Sequence, residues 1–283
     1  MSASRGAVVV TGSSSGIGRA CALHLDELGF HVFAGVRREE DGKRLRVEAS
    51  GALEPLILDV TDEAATHAAA ARVAEAADGG LVGLVNNAGV QGAGPLENIP
   101  LEEFRRVLEI NVTGQVAVTQ AFLPQLRQRR GRIVFMSSIG GRMAFPFMSP
   151  YNASKFAIEA IGDSLRQELG PLGVRVAIVE PGSIDTPIWG KGASTAKTFR
   201  ERLDPEADRV YGASLDRFSE LGRKTGERGI PPRRVAEVVA HALTATRPRT
   251  RYLVGVDAKL QARFQSLTSD RLRDRLLARM MKA

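Results

Sequence analysis

With 283 residues, 43% of them hydrophobic, the chain can bury a large core as one α/β domain or two small ones. A single cysteine, Cys21, excludes an intrachain disulfide and a cysteine-built metal cluster, and with no apolar run of about 18 residues and no secretory leader pattern at Met1–Gly6, a cytoplasmic protein without stable membrane insertion is expected. The formal charge of +7 gathers at Arg127–Arg132, Arg233–Arg234, Arg247–Arg251 and beyond Arg263 without any nucleic-acid motif, which points to a solvated basic face and an anionic small molecule rather than a nucleic-acid partner.

In chain order, short β-branched runs alternate with long amphipathic segments, the pattern of a parallel sheet covered on both faces. The first strand, Ala7–Thr11, leads through a glycine-rich turn into a helix at Ile17–Leu28, stopped by Gly29. Strands follow at His31–Gly35, Leu53–Leu58, Gly83–Val85, Arg132–Met136, Val174–Val179 and Tyr252–Val254, most of them continuous apolar runs. Between them, Thr61–Ala77, Leu101–Arg129 and Pro150–Leu169 have helical apolar spacing. Right-handed crossovers then give a single doubly wound sheet of about seven strands. Residues 1–255 form this domain, with a polar covering insertion of short helices at about 187–230. Residues 256–283 read as a helical extension whose Leu260, Phe264, Leu267, Leu272 and Leu276 are expected to pack on the parent domain.

The turn Thr11-Gly12-Ser13-Ser14-Ser15-Gly16-Ile17-Gly18 stands between a strand and a helix, where backbone N–H groups and the helix dipole receive a dinucleotide's pyrophosphate. Its GxxxGxG spacing differs from GxGxxG, so flanking structure carries the reading. The same residues satisfy GxSxG, with Ser14 as a hydrolase nucleophile and His241 as the one histidine available far downstream. Tyr151 and Lys155 lie four apart on one helix face, with Ser149 and Pro150 as cap and first helical residue. An ammonium and a positive nicotinamide ring would both favour the phenolate, making Tyr151 a proton exchanger for a substrate hydroxyl. Asn111 interrupts an apolar helix, where its amide needs a partner that a helix irregularity could supply. Ser138, preferred over its neighbour Ser137, ends a strand at the carboxyl edge of the sheet, where ligands of such folds bind. The glycosylation-like triplets at Asn111 and Asn152 are read as buried or active-site positions instead.

Taken together, Thr11-Gly12-x-x-x-Gly16-Ile17-Gly18, Asp59-Val60, Asn86-Asn87-Ala88-Gly89, Asn111, Ser138, Tyr151-x-x-x-Lys155 and Pro181-Gly182 resemble the short-chain dehydrogenase/reductase family over nearly the whole chain. The resemblance implies a Rossmann-type fold and hydride transfer between a nicotinamide cofactor and an alcohol or carbonyl. It implies Tyr151 as acid/base, Ser138 as a donor to the substrate oxygen, Lys155 on the nicotinamide ribose, and Asn111 as anchor of a proton-relay water. It also places Gly12, Ser14, Gly16, Ile17, Gly18, Asn87, Ala88 and Gly89 along the cofactor, Asp59 and Val60 at the adenine, and Pro181, Gly182, Ile184 and Thr186 at the nicotinamide. A homodimer or homotetramer is implied as well. No metal is called for.

Val36 stands where an NAD enzyme has an acid, and Arg37 and Arg38 follow, so NADP(H) is favoured through a guanidinium on the 2′-phosphate. Glu39, Glu40 and Asp41 close behind keep NAD(H) open. Met143, Phe145, Phe147 and Met148, with Ile188 and Trp189, suggest an apolar substrate pocket. Phe33-Ala34-Gly35, Pro181-Gly182-Ser183-Ile184 and Arg251-Tyr252 look like the retinol and hydroxysteroid dehydrogenase branch, which implies a hydrophobic secondary alcohol or ketone as substrate. The alternatives outside this chemistry are a non-catalytic NAD(P)-sensing protein and the serine hydrolase.

Overall fold

The computed structural model describes residues 5–77, 80–188, 198–201 and 203–281. Trp189, and with it part of the anticipated apolar pocket, lies outside them. Seven parallel strands form one sheet in the order β3-β2-β1-β4-β5-β6-β7: β1 Ala7–Val10, β2 His31–Val36, β3 Leu53–Ile57, β4 Leu81–Asn86, β5 Arg132–Met136, β6 Arg175–Pro181 and β7 Arg251–Val254. The order reverses between β1 and β4, and the crevice outside the carboxyl ends there is where open α/β sheets bind ligands.

Both faces of the sheet are dry. Along β1, Val8 and Val10 join one core with Cys21, Leu25, Leu45, Val235 and Val239, whereas Ala7 and Val9 join another with Phe122, Leu126 and Ile158. The first core is covered by α1 Gly16–Glu27, α2 Glu39–Glu48 and α8 Pro232–Thr244. The second is covered by α3 Glu63–Ala76, α5 Gly114–Arg129 and α6 Ser149–Leu169. Cys21 is fully buried among these apolar neighbours, and burial pushes its thiol up to about 12, so it is an inert core residue.

Several expectations need correction. The helix anticipated over Leu101–Arg129 is α4 Leu101–Leu108, a π-helical turn Glu109–Thr113, and α5. The covering insertion is dominated by one 23-residue helix, α7 Pro205–Glu227, rather than short helices. Asp204 caps it by accepting from the Ala207 N–H at 2.8 Å, and buried Ala207 and Leu215 mark its inner face. Gly212, Gly222 and Gly226 dilute that periodicity in the sequence. Ser149 is the first residue of α6 rather than its cap, and its buried hydroxyl has no hydrogen-bond partner.

The extension forms α9 Val256–Leu267 and α10 Asp270–Met281, but its apolar stripe faces away from the domain. Leu260 is 63% exposed and Leu267 75%, contrary to the expected packing. The helices dock through another face instead. Ala258 is fully buried, Asp257 accepts from the Ser183 N–H at 2.7 Å, and Gln265 donates to the Arg142 carbonyl.

Candidate active site

The glycine turn runs from β1 into α1 and is shaped by close backbone approach. Gly12 and Gly16 have φ of +67° and +56°, and a side chain at Gly18 would overlap the Gly12 carbonyl and the Asn87 amide. A Cβ on Gly12 would lie 2.9 Å from Ala88 Cα. Thr11 fastens the turn to the end of β4: its hydroxyl accepts from the Asn87 and Ala88 N–H groups, both at 2.9 Å, and Asn87 Nδ2 donates to the Thr11 carbonyl at 2.9 Å. Ser15 makes no side-chain cap, and Ser14 and Ser15 are exposed, so the first N–H groups of α1 face open space. Ile17 packs against the first core, and Thr186 comes from the far side of the sheet to lie 3.3 Å from a Cβ at Gly16.

The other anticipated cofactor residues ring this opening. Asp59 is half-buried and accepts from the Thr61 N–H and hydroxyl at 3.0 and 2.8 Å, while Val60 is buried against Gly114. Gly89 faces Asn111, since a Cβ there would lie 3.3 Å from Asn111 Oδ1. Gly182 and Ser183 are clasped by the Asp257 carboxylate, and Ile184 is buried and paired in a β-bridge with Ile230, so β6 leads into a fixed loop past Pro181.

At the end of β2 the two arginines part company. Arg38 is held by Asp41 at 3.0 Å, and Asp41 also takes Arg44, so that carboxyl lies below the usual carboxylate range. Arg37 is exposed and, among the described residues, has no ion-pair partner. The acid that could have neutralised both thus engages only one.

Beyond β5 and β4 the catalytic candidates converge. Tyr151 and Lys155 stand one turn apart on α6, with Lys155 Nζ 5.6 Å from the centre of the Tyr151 ring and donating to the Met136 carbonyl at 2.8 Å. The Ser138 hydroxyl accepts from the Gly140 N–H at 3.1 Å and hydrogen-bonds Tyr151, whereas Ser137 points into the protein beside Gly141 and Glu159. Burial raises the Tyr151 phenol and outweighs the lowering by Ser138. Burial depresses Lys155 to about 8, with Glu159 opposing.

Asn111 is fully buried in the π-helical turn, as its sequence context suggested, but its amide is already satisfied. It donates to the Val90 carbonyl at 2.9 Å and to the Ser154 hydroxyl at 3.0 Å, and accepts from the Val90 N–H at 2.8 Å. It thereby ties the loop after β4 to α6. Asn152 is likewise buried, donating to the Phe145 carbonyl at 3.0 Å. His241, needed by the hydrolase reading, contacts the Tyr252 hydroxyl at 3.1 Å, and nothing pairs it with Ser14.

Three contributors escaped the sequence reading, Asp257, Gln115 and the Glu159–Arg251 pair, and a fourth, Thr11, was named only as part of the turn motif. Gln115 donates to the Ala88 carbonyl at 2.8 Å. Only Thr11 had a local signal, as the residue preceding the glycine turn; the others act across distant parts of the chain.

Over Tyr151, the loop Met143–Met148 carries Phe147 in the left-handed region, φ +62°, with its ring edge-on to Tyr211 and Phe218 of α7 at 6.4 and 5.9 Å. A cavity of about 400 Å³ is lined by Phe145, Phe147, Ser214, Leu277 and Ala278, among others, joining this loop to α7 and α10. A wider one, about 870 Å³, is bordered by Arg200, Asp208, Asp216 and Glu220 and includes neither Tyr151 nor the loop Met143–Met148.

Residues 6–197 match the family described as short chain dehydrogenase. Among curated relatives, retinol dehydrogenase 5 of Mus musculus is 42% identical over 260 residues, covering 89% of this chain and 81% of its own length. An NADPH-dependent 3-dehydrocapnine reductase of Ornithobacterium rhinotracheale is 35% identical over 280 residues, covering 97% and 96%. Among solved structures, a short chain dehydrogenase from Burkholderia cenocepacia J2315 in complex with NADP superposes with a TM-score of 0.73 at 27% identity, over the full length of both chains.

Proposed function

Because the chain belongs to the short-chain dehydrogenase/reductase family and is a nicotinamide-dependent oxidoreductase acting on CH–OH groups, we propose that it interconverts a hydrophobic secondary alcohol and its ketone with NADP(H). The observation that carries the reading is the meeting of Ser138, Tyr151 and Lys155 at the carboxyl edge of β5, beside the glycine turn's open helix end.

The cofactor fits what the residues offer. Gly12, Gly16 and Gly18 remove side chains where a diphosphate would approach the uncapped N–H groups of α1, with Ser14 exposed at the rim. Asn87, Ala88 and Gly89 would border the adenosine side with Asp59 and Val60, and Pro181, Gly182, Ile184 and Thr186 would border the nicotinamide. Arg37, free of Asp41, would take the 2′-phosphate through charge and paired donors. The relative named for NADPH and the NADP-bound structural neighbour support that preference.

When bound, the nicotinamide supplies or accepts the hydride. Tyr151 holds the balancing proton. Its phenol, kept protonated by burial, donates that proton to the carbonyl oxygen during reduction and recovers it during oxidation. Ser138 donates a second hydrogen bond to the same oxygen, orienting it toward Tyr151. The Lys155 ammonium uses one donor on Met136, leaving others for the ribose hydroxyls and its charge for Tyr151. Asn111 fixes the π-helical turn from which a water chain would refill the proton, its amide being spent on Val90 and Ser154. The apolar loop from Met143 to Met148 and α7 supply the substrate wall, with an aromatic surface at Phe147, Tyr211 and Phe218. A homodimer or homotetramer is part of the same proposal, and likeness to retinol dehydrogenase 5 supports a bulky apolar substrate.

Calorimetric titration with NADPH and NADH tests the cofactor, and a panel of apolar ketones and alcohols tests the chemistry. NADPH should bind tighter, and Arg37→Ala should cost it about tenfold, about 1.4 kcal/mol, while sparing NADH. Tyr151→Phe should lower turnover about 10²- to 10⁴-fold with NADPH binding retained. Intact turnover in Tyr151→Phe would overturn the acid/base assignment, and tighter NADH binding would overturn the role of Arg37.

A further inference from the structure

Behind the catalytic lysine lies a buried charge cluster that the hydride-transfer chemistry leaves unexplained. Glu180 at the end of β6 is fully buried and receives Arg142 in a paired contact at 2.6 and 2.9 Å. Arg251 of β7 reaches Glu180 at 3.3 Å, Glu159 at 3.0 Å and Asp163 at 2.6 Å. Arg166 shares Asp163 at the rim. Glu159 lies one turn beyond Lys155 on the same face of α6, and both are buried. Only one Glu159 oxygen is used by Arg251; Oε1 is buried with the Ser137 hydroxyl near it.

Gly141 makes this proximity possible. A Cβ there would lie 2.7 Å from Ser137 Oγ, 3.0 Å from the Lys155 carbonyl and 3.2 Å from Glu159 Cγ, so any side chain would part the lysine turn from its neighbours. The titratable and charged groups that bear on Lys155 are Tyr151 and Glu159 of its own helix, and behind Glu159 stand Asp163, Glu180 from β6, Arg251 from β7 and Arg142 from the segment after β5. The π-helical turn contributes only the neutral Asn111. Arg142 and Glu180 satisfy each other, which leaves Glu159, half-engaged by Arg251, as the carboxylate with charge to spare.

Resting on the reading of Lys155 as part of the catalytic group, we propose that Glu159 is a positioning residue, held by Arg251, whose carboxylate is the counter-charge that keeps the buried Lys155 ammonium protonated. A buried ammonium is expensive without a nearby opposite charge, and its one hydrogen bond to a backbone carbonyl is neutral. Loss of the Glu159 charge shifts the lysine toward its amine, which would remove the positive field from Tyr151 at lower pH than in the native protein.

The test follows the lysine itself, without cofactor or turnover. In protein carrying ¹³C at lysine Cε, with the Lys155 signal assigned by Lys155→Arg, Glu159→Gln should lower the Lys155 midpoint by about one pH unit, a tenfold change in its proton affinity. Glu159→Asp, which keeps the charge, should restore most of it. In the unsubstituted protein, the ¹³Cδ signal of Glu159 should move at the Lys155 midpoint, a readout that survives if Glu159→Gln fails to fold. An unchanged midpoint in folded Glu159→Gln, or a Glu159 signal silent at that midpoint, overturns the proposal. The alkaline limb of kcat/KM should fall with the midpoint; if the midpoint moves and the limb does not, the counter-charge stands and the catalytic reading of Lys155 fails.

Discussion

The glycine turn after β1 and the helices that follow β6 both bear on the anticipated site, and they are held together by different means. In the turn, backbone meets backbone: Gly12 against Ala88, Gly18 against Gly12 and Asn87, with Thr11 fastening the whole to β4. In α7, α9 and α10 the ties are long side chains, such as Tyr211 on Glu97 at 2.7 Å, Arg200 on Asp208 at 3.1 Å and Gln265 on the Arg142 carbonyl. Their apolar positions stay open, with Val210 at 60% and Leu267 at 75% exposed. Backbone packing admits one arrangement, whereas side-chain ties over an exposed surface can be exchanged. The turn proposed to position phosphate is over-determined, and the helices proposed to cover substrate are the more loosely tied.

Glycine-to-alanine pairs break that comparison most directly. Gly18→Ala must displace the Gly12 carbonyl or the Asn87 amide, so it should cost about 3 kcal/mol in denaturant unfolding and abolish cofactor binding by calorimetry. Next in size is a pH effect. Burial holds Lys155 in the folded protein at about 8, below the ordinary lysine value of 10.5, so between these values the unfolded chain binds more protons and stability rises with pH. The penalty is complete below about pH 8 and relieved above about 10.5. Lys155→Met should flatten this rise, which amounts to about 3 kcal/mol, when unfolding is followed across that range. By contrast, Gly222→Ala in α7, where a Cβ meets nothing within 4 Å, should stabilise the protein by about 0.5–1 kcal/mol. Smallest is Leu267→Gln on the open stripe of α9, which should change stability by less than about 0.5 kcal/mol. A loss well above that would mean the stripe is covered in solution.

Much of the sheet was legible because its strands are buried on both faces. Arg132–Met136 coincides with β5, and the other six runs differ from their strands by one to two residues at either end. The placement of the catalytic candidates was legible in that Tyr151 and Lys155 share one helix, whereas Ser138 does not end the strand as expected: β5 stops at Met136 and Ser138 caps the short 3-10 turn Ile139–Gly141. α2 was missed since a polar ten-residue helix has little apolar period, and α8 because the insertion was taken to run up to it. The C-terminal stripe misled because amphipathic spacing fixes that a helix has two faces and says nothing about which face the domain receives. The sequence reading chose Arg37 without a reason to set Arg38 aside, and the geometry of α2, which places Asp41 on Arg38, supplies one.

The sequence by itself determined the strands, the glycine turn and the helix that Tyr151 and Lys155 share, while the roles proposed for these residues came from the family resemblance. Strands, turn and helix depend on local spacing: 3.6 residues per helical turn, two per strand repeat, and glycines where backbone must come close. The tertiary structure alone decided which arginine is free, which serine faces the tyrosine, that burial raises the Tyr151 phenol, and that Glu159 stands behind Lys155 with Arg251 from 92 residues away. Each of those depends on charge and desolvation between segments remote in sequence, and Coulomb energy and burial follow distance in space rather than along the chain.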